Sequence, residues 1–368
     1  RMRHTLFTRW ILVATAVLAV VTPVMAGSPM PPVPTPQFRG FGLHEGLPSS
    51  KVKAVAQDAR GFIWVATATG LARFDGVEFV VPGIGTERNH PMPAGALSAL
   101  YIDRDDRIWI GGPDVGLARY DPVTGGFVQW RDGLSDDDVR AVTQSRDGSI
   151  WVGTSKGLDR MRADGSGFEH LSSHPDGLSS PMVRALYAAV DGRVWVAGES
   201  GVDVIDAAGK PQAVPFADGT TPRVNRIDGS GGELHFATDA GLYRLDSDGS
   251  LRRDPRVSAQ HVRGSLVDSH GAVWIATLDG LSMVDRYGRP HAIADSWRTP
   301  GGLPGRTVSG MLEDREHGLW FALSDGGIAY LGPGWEDFTR FAHVATERWS
   351  LPGRAVTAVA AHGDRELW

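Results

Sequence analysis

Eight times along this chain an apolar residue opens a segment that runs on to a strand rich in aromatic and β-branched residues. In seven of the eight, the apolar residue stands 12 positions before a tryptophan: Val52/Trp64, Leu97/Trp109, Val139/Trp151, Val183/Trp195, Val262/Trp274, Val308/Trp320 and Val356/Trp368. The exception, Val224/His235, is one residue shorter and puts histidine where tryptophan stands elsewhere. These aromatic positions follow one another at intervals of 39–48 residues. A period of about 40–50 residues is the unit length of a four-stranded propeller blade, and such units become stable only by stacking on their neighbours.

The chemistry inside each copy agrees. Val52-Lys-Ala-Val-Ala56 reads as a first strand. Asp147-Gly148 and Asp191-Gly192 are hairpin turns, in which glycine takes the positive φ that the turn requires. Ile63-Trp-Val-Ala-Thr67 is β-branched and aromatic, a second strand buried on both faces. Gly70, Gly157 and Gly241 supply the next turn, Gly70-Leu-Ala-Arg-Phe-Asp75 a third strand, and stretches such as Glu78–Val81 or Gly126–Trp130 a fourth. No segment after residue 36 sustains helical periodicity. The pattern predicts an all-β chain: a seven-bladed β-propeller of four-stranded blades over residues 37–341, with residues 342–368 opening a second propeller. A single eight-bladed ring lacking its end is the competing arrangement. In either, each tryptophan is expected to wedge between neighbouring sheets.

Composition sets further bounds. The 368 residues hold 47 glycines and 23 prolines, which suits many tight turns between short strands. There is no cysteine, so disulfides, thiol nucleophiles and zinc–thiolate sites are excluded. A net charge of −6 lacks the basic excess of a nucleic-acid binder. At the start, Arg1, Arg3, His4 and Arg9 precede the apolar run Trp10–Val21 and the small residues around Ala26. This is the layout of a secretory signal, residues 1–26, followed by a proline-rich leader at 27–36; an uncleaved anchor is the alternative.

The recurring pattern is Val-Arg-Ala-Val/Leu, then Asp-x-x-Gly-x-Ile-Trp-Val-Gly-Thr, then Gly-Leu-x-Arg. It resembles the two-component regulator propeller repeat, and the likeness runs over residues 46–368. The resemblance implies an exported, periplasmic sensor tethered to the inner membrane. In such proteins two seven-bladed propellers and a small immunoglobulin-like domain precede a membrane helix and a histidine kinase or diguanylate cyclase output. On this reading the chain is a fragment without catalysis of its own, with a possible homodimer as its assembly. Phe338-Thr-Arg-Phe341 before copy eight resembles Phe38-Arg-Gly-Phe41 before copy one, as if a second ring began there.

Candidate chemistry is sparse. Twelve histidines show no metal-ligand spacing, and no cofactor motif is present. Asp103-Arg-Asp-Asp106 and Ser135-Asp-Asp-Asp138 lack the ligand pattern of a calcium loop. Asp228-Gly-Ser-Gly-Gly232 has no lysine and opens no helix, so it is a turn and not a phosphate cradle. His235 is either a general base, as a lyase-like propeller would need, or a polar substitution in one imperfect blade. One constellation stands out. The residue just after each opening apolar position is Lys53, Ser98, Arg140, Arg184, Asn225, Arg263 or Ser309, four cations and no acid. If the first strands line the channel, Lys53, Arg140, Arg184 and Arg263 converge on one mouth and would bind a small anionic ligand or saccharide. Alternatively, these side chains pair with loop acids or lie over the blade tryptophans. A secreted lyase-like enzyme and a cell-envelope interaction scaffold are the other functional classes.

Overall fold

The turn after each first strand is organised by one carboxylate. In the first repeat, Asp58 Oδ1 accepts the backbone N–H groups of Arg60 at 3.0 Å and Phe62 at 2.9 Å, while Oδ2 accepts the indole N–H of Trp64 at 2.9 Å. The same side chain therefore fixes the turn and orients the tryptophan. Trp109 on Asp103, Trp274 on Asp268 and Trp320 on Asp314 repeat the bond at 2.7–2.8 Å, and in the third repeat Ser145 Oγ takes the role at 2.9 Å.

The computed structural model describes residues 36–82, 91–162, 165–171, 177–206, 209–229, 232–293 and 301–337, with two short strands at Ala361–His362 and Glu366–Leu367. These strands pair antiparallel with each other and belong to a separate unit of the chain. The expected export signal at 1–26, the expected leader except Pro36, and the rest of the expected second propeller lie outside the described residues.

From those turns, blade 1 forms as four consecutive antiparallel strands: Val52–Gln57, Ile63–Thr67, Gly70–Phe74 and Phe79–Val80. Blades 2 to 6 repeat this meander over 99–130, 139–171, 183–214, 224–253 and 262–292. Every residue of the second strands is buried, as their sequence predicts. Each tryptophan wedges into the next blade. Trp64 joins Ile108, Ile110 and Tyr120, and Trp274 meets the Phe321 ring at 5.3 Å. On the other side of three tryptophans lies an arginine of the third strand: Arg73 over Trp64, Arg119 over Trp109 and Arg160 over Trp151, at 5.4–5.9 Å.

The ring closes with seven blades, and the eight-bladed arrangement is overturned. Blade 7 takes three strands from Val308–Glu313, Leu319–Leu323 and Gly327–Leu331, and its outer strand is Arg39–Phe41 from before blade 1. The pairs are Arg39↔Tyr330, Gly40↔Ala329 and Phe41↔Ile328. Phe41 stacks on Trp320 at 5.9 Å and meets Phe74 of blade 1 edge-on at 5.1 Å. Closure removes the exposed sheet edges that an open array would present. It also explains the Phe38–Phe41 segment, which reads in sequence as a preamble and serves as a blade strand.

Candidate functional site

The first strands surround the channel, and six of the seven begin with the same irregularity. In blades 1 and 3 to 7 the pairing register slips by one residue directly after the opening apolar position, between Val52 and Ala54 in blade 1 for example. The slipped residue is the one singled out in the sequence: Lys53, Arg140, Arg184, Asn225, Arg263 or Ser309. A bulge of this kind takes one residue out of the ladder and re-aims its side chain.

Six blades contribute to a cavity of about 430 Å³ at this end of the channel. Lys53, Arg140 and Arg184 line it, with Ser98, Asn225 and Ser309. Arg263 is not part of that wall. Its guanidinium reaches Asn225 Oδ1 at 3.5 Å.

The rim is less positive than its cations suggest. Arg140 pairs with Asp138 at 2.5 Å, and Arg184 Nε donates to Glu199 at 2.6 Å. Arg223 holds Asp239 at 2.6 Å, and that carboxylate also accepts from Asn225 at 2.9 Å. Nearby, Lys156 sits 2.6 Å from Asp136 and holds its carboxyl down at about 2. Lys53 and Arg263 make no ion pair with any described residue. Among the described residues neither Arg263 nor the three cations of the wall lie over a tryptophan; that place belongs to arginines of the third strands and, in blade 4, to Arg193. Two of the four cations are thus neutralised by loop acids.

Sequence reasoning missed one cation of this cavity. Two residues after each opening position the chain has Ala54, Ala99, Ala141, Ala185, Gly264 and Gly310, but Arg226 in blade 5. Arg226 lines the same cavity as Tyr101, Thr143 and Tyr187. Stacking the copies by strand register and reading the third position would have found it. A second hollow, of about 390 Å³, lies where the first strands of blades 6 and 7 end and is lined by Asp228, Asp268 and Glu313 together with Leu266, Ser269 and Met311.

His235 is in neither wall. It is 1% exposed, both ring nitrogens lack a hydrogen-bond partner, and burial holds its pKa below the ordinary histidine value. A base so enclosed has no access to a substrate, and the histidine stands as a substitution within the blade core. Among the described residues no group of three or more His, Asp or Glu side chains could hold a metal ion.

The seven blades close into one ring, and five of them carry a tryptophan anchored on an aspartate or serine. The family model for the two component regulator propeller matches residues 46–69 and 133–156, so the chain carries that repeat. Among solved structures it is similar to the extracellular domain of the hybrid two component system BT3049 from B. thetaiotaomicron. That match has 21% identity and a TM-score of 0.75, and covers 90% of this chain and 46% of that one. The extracellular domain of BT4673 from the same organism is similar at 19% identity and TM-score 0.69, over 80% of this chain and 40% of that one. The virginiamycin B lyase of Staphylococcus aureus is similar at 14% identity and TM-score 0.61, over 80% of this chain and 99% of that one. At these identities the likeness establishes the fold. The chain spans less than half the length of the two extracellular domains. No curated protein matches it by sequence.

Proposed function

We propose that this chain is the exported, ligand-sensing input module of a transmembrane signalling receptor, of the sensor-kinase or diguanylate-cyclase type. In this reading residues 1–26 direct export, the first ring binds the ligand, and residues 342–368 open a second propeller. The observation that carries the ligand-binding role is the cavity at the channel mouth, where residues from six blades, including Lys53, Arg140 and Arg184, meet around one space. Its volume falls within the range of small-molecule sites, about 300–1,000 Å³. The repeat type and the similarity to extracellular domains of two-component systems support the receptor context. A ligand there signals only if it binds one receptor state better than another.

The test is a thermal-shift screen of the chain against uronates, hydroxy-acids and neutral saccharides, with product analysis on every hit. Saturable stabilisation without turnover is the expected result. Conversion of a hit to new products would replace the sensor reading with an enzyme of the lyase-like class. No shift with any of them, together with capture of an envelope protein, would favour a scaffold.

A further inference from the structure

Six of the seven inner strands keep alanine or glycine at their third position because neighbouring strands come close there. A Cβ on Gly310 would lie 3.4 Å from the Ala54 Cα and the Lys53 carbonyl oxygen of blade 1. An arginine at this position needs space taken from its neighbour, and blade 6 provides it. Gly264 is the equivalent residue there, and the Arg226 Cδ lies 3.4 Å from where a Cβ of residue 264 would stand. The arginine stem thus runs across a gap that a glycine leaves open.

The guanidinium is half-buried in the cavity wall and makes no hydrogen bond or ion pair with any described residue. Burial works against its charged form, and the one carboxylate acting to offset this is Asp228. A guanidinium has five donors in a planar fork, and no nitrogen of Arg226 is among the buried atoms that lack a partner, so the fork stays open to the cavity. Arg140 and Arg184, by contrast, are already taken by Asp138 and Glu199. Arg226 keeps its fork free on a wall that it shares with three hydroxyl-bearing residues, Tyr101, Thr143 and Tyr187.

We propose that Arg226 anchors a carboxylate-binding site inside the channel, and that the ligand is a small organic acid bearing hydroxyl groups, such as a single uronic acid. The fork matches a carboxylate with two parallel hydrogen bonds, and the neighbouring hydroxyls meet the polar body of the ligand. The proposal rests on the ligand-binding reading above and narrows it to one anchor and one chemical class.

The experiment is calorimetric titration of the chain with glucuronate, glucose and inorganic phosphate, repeated on Arg226→Met, Arg226→Lys and, as a control away from the cavity, Arg252→Gln on the outer strand of the same blade. Glucuronate should bind the wild-type chain more tightly than glucose or phosphate. Arg226→Met should weaken it by about thirtyfold or more, the usual consequence of losing one partner of an enclosed charged pair. Arg226→Lys should recover little of this, since an ammonium cannot form the fork, and Arg252→Gln should change affinity by less than about threefold because it lies outside the cavity and pairs with Asp246 at the surface. The melting temperature is the second readout: Arg226→Met should be as stable as wild type or more so. Unchanged glucuronate affinity in Arg226→Met overturns the proposal. So does a large loss of stability in that variant, which would make Arg226 a structural residue. Binding of glucose or phosphate but not glucuronate would also overturn it and leave the ligand-sensing role standing. If none of the three binds the wild-type chain at millimolar concentration, the anchor proposal again fails, and the screen above decides the broader reading.

Discussion

The indole nitrogen of Trp274 donates a 2.8 Å hydrogen bond to the buried carboxylate of Asp268, six residues before it in the chain. The other carboxylate oxygen accepts the N–H groups of His270 at 3.0 Å and Ala272 at 2.9 Å. Removing this side chain strands an indole donor and two turn amides in the interior. Asp268→Ala should therefore lower stability by about 3 kcal/mol. Chemical denaturation checks it, and Asp268→Ser should recover part of the loss, because serine plays this role for Trp151.

Blade 4 lacks the acceptor. Ala189 holds the equivalent place, its turn has the same backbone bonds as the one at Asp58, and the buried Trp195 Nε1 has no partner. Ala189→Asp should supply one and raise stability by about 1 kcal/mol. A lower unfolding midpoint would mean that burying the new carboxylate outweighs the bond it makes.

His235 makes the fold sensitive to acid. Burial lowers its pKa below 6.5, against the upward pull of Asp228, Glu233 and Asp254, while Arg256 pushes it further down. On acidification the unfolded chain takes up this proton first. Stability from the neutral ring is present above about 6.5 and is lost as pH falls through the folded-state value. His235→Phe should gain about 1–2 kcal/mol at neutral pH by removing two unmet ring nitrogens from the core. It should also lose less stability than wild type as pH drops from about 7 to 5.5. Parallel pH profiles for the two proteins would assign the acid sensitivity to other groups.

The closing strand should be separable from the rest of the ring. Phe41 is 2% exposed and touches Phe74, Phe79 and Trp320. Phe41→Ala should cost about 4 kcal/mol and make the segment around residues 36–41 the first site of proteolysis. Gly327→Ala should act in the same way, because at φ +79° an added Cβ would fall 2.2 Å from the Phe41 carbonyl oxygen. Limited proteolysis followed by mass analysis distinguishes this local release from general unfolding.

Much of this fold is legible in the sequence because a blade is a local object. The Val52-to-Trp64 spacing spans one hairpin, and its strand lengths and turn are set by nearby residues. The number of blades in the ring is not local. It depends on whether Arg39–Phe41 or a later segment pairs with Gly327–Leu331, and three short residue pairs leave no periodic mark. The candidate site divides along the same line. The mouth cations stand out because they repeat from copy to copy, yet repetition does not reveal that Asp138 and Glu199 neutralise two of them. Arg226 is visible only as a departure, and a departure carries meaning once the copies are aligned by strand register.

The closing strand also sets an order in time. Arg39–Phe41 is among the first ring segments to be synthesised, and its partner Gly327–Leu331 is the last. Until that partner is made, blade 7 has no sheet for the early strand to join, and the growing array carries an unpaired edge at each end. Assembly thus finishes where it began, with the oldest residues of the ring fastened onto the newest. A chain interrupted before Leu331 would keep most of its blades but expose both edges, and such a product is the one most prone to associate with copies of itself.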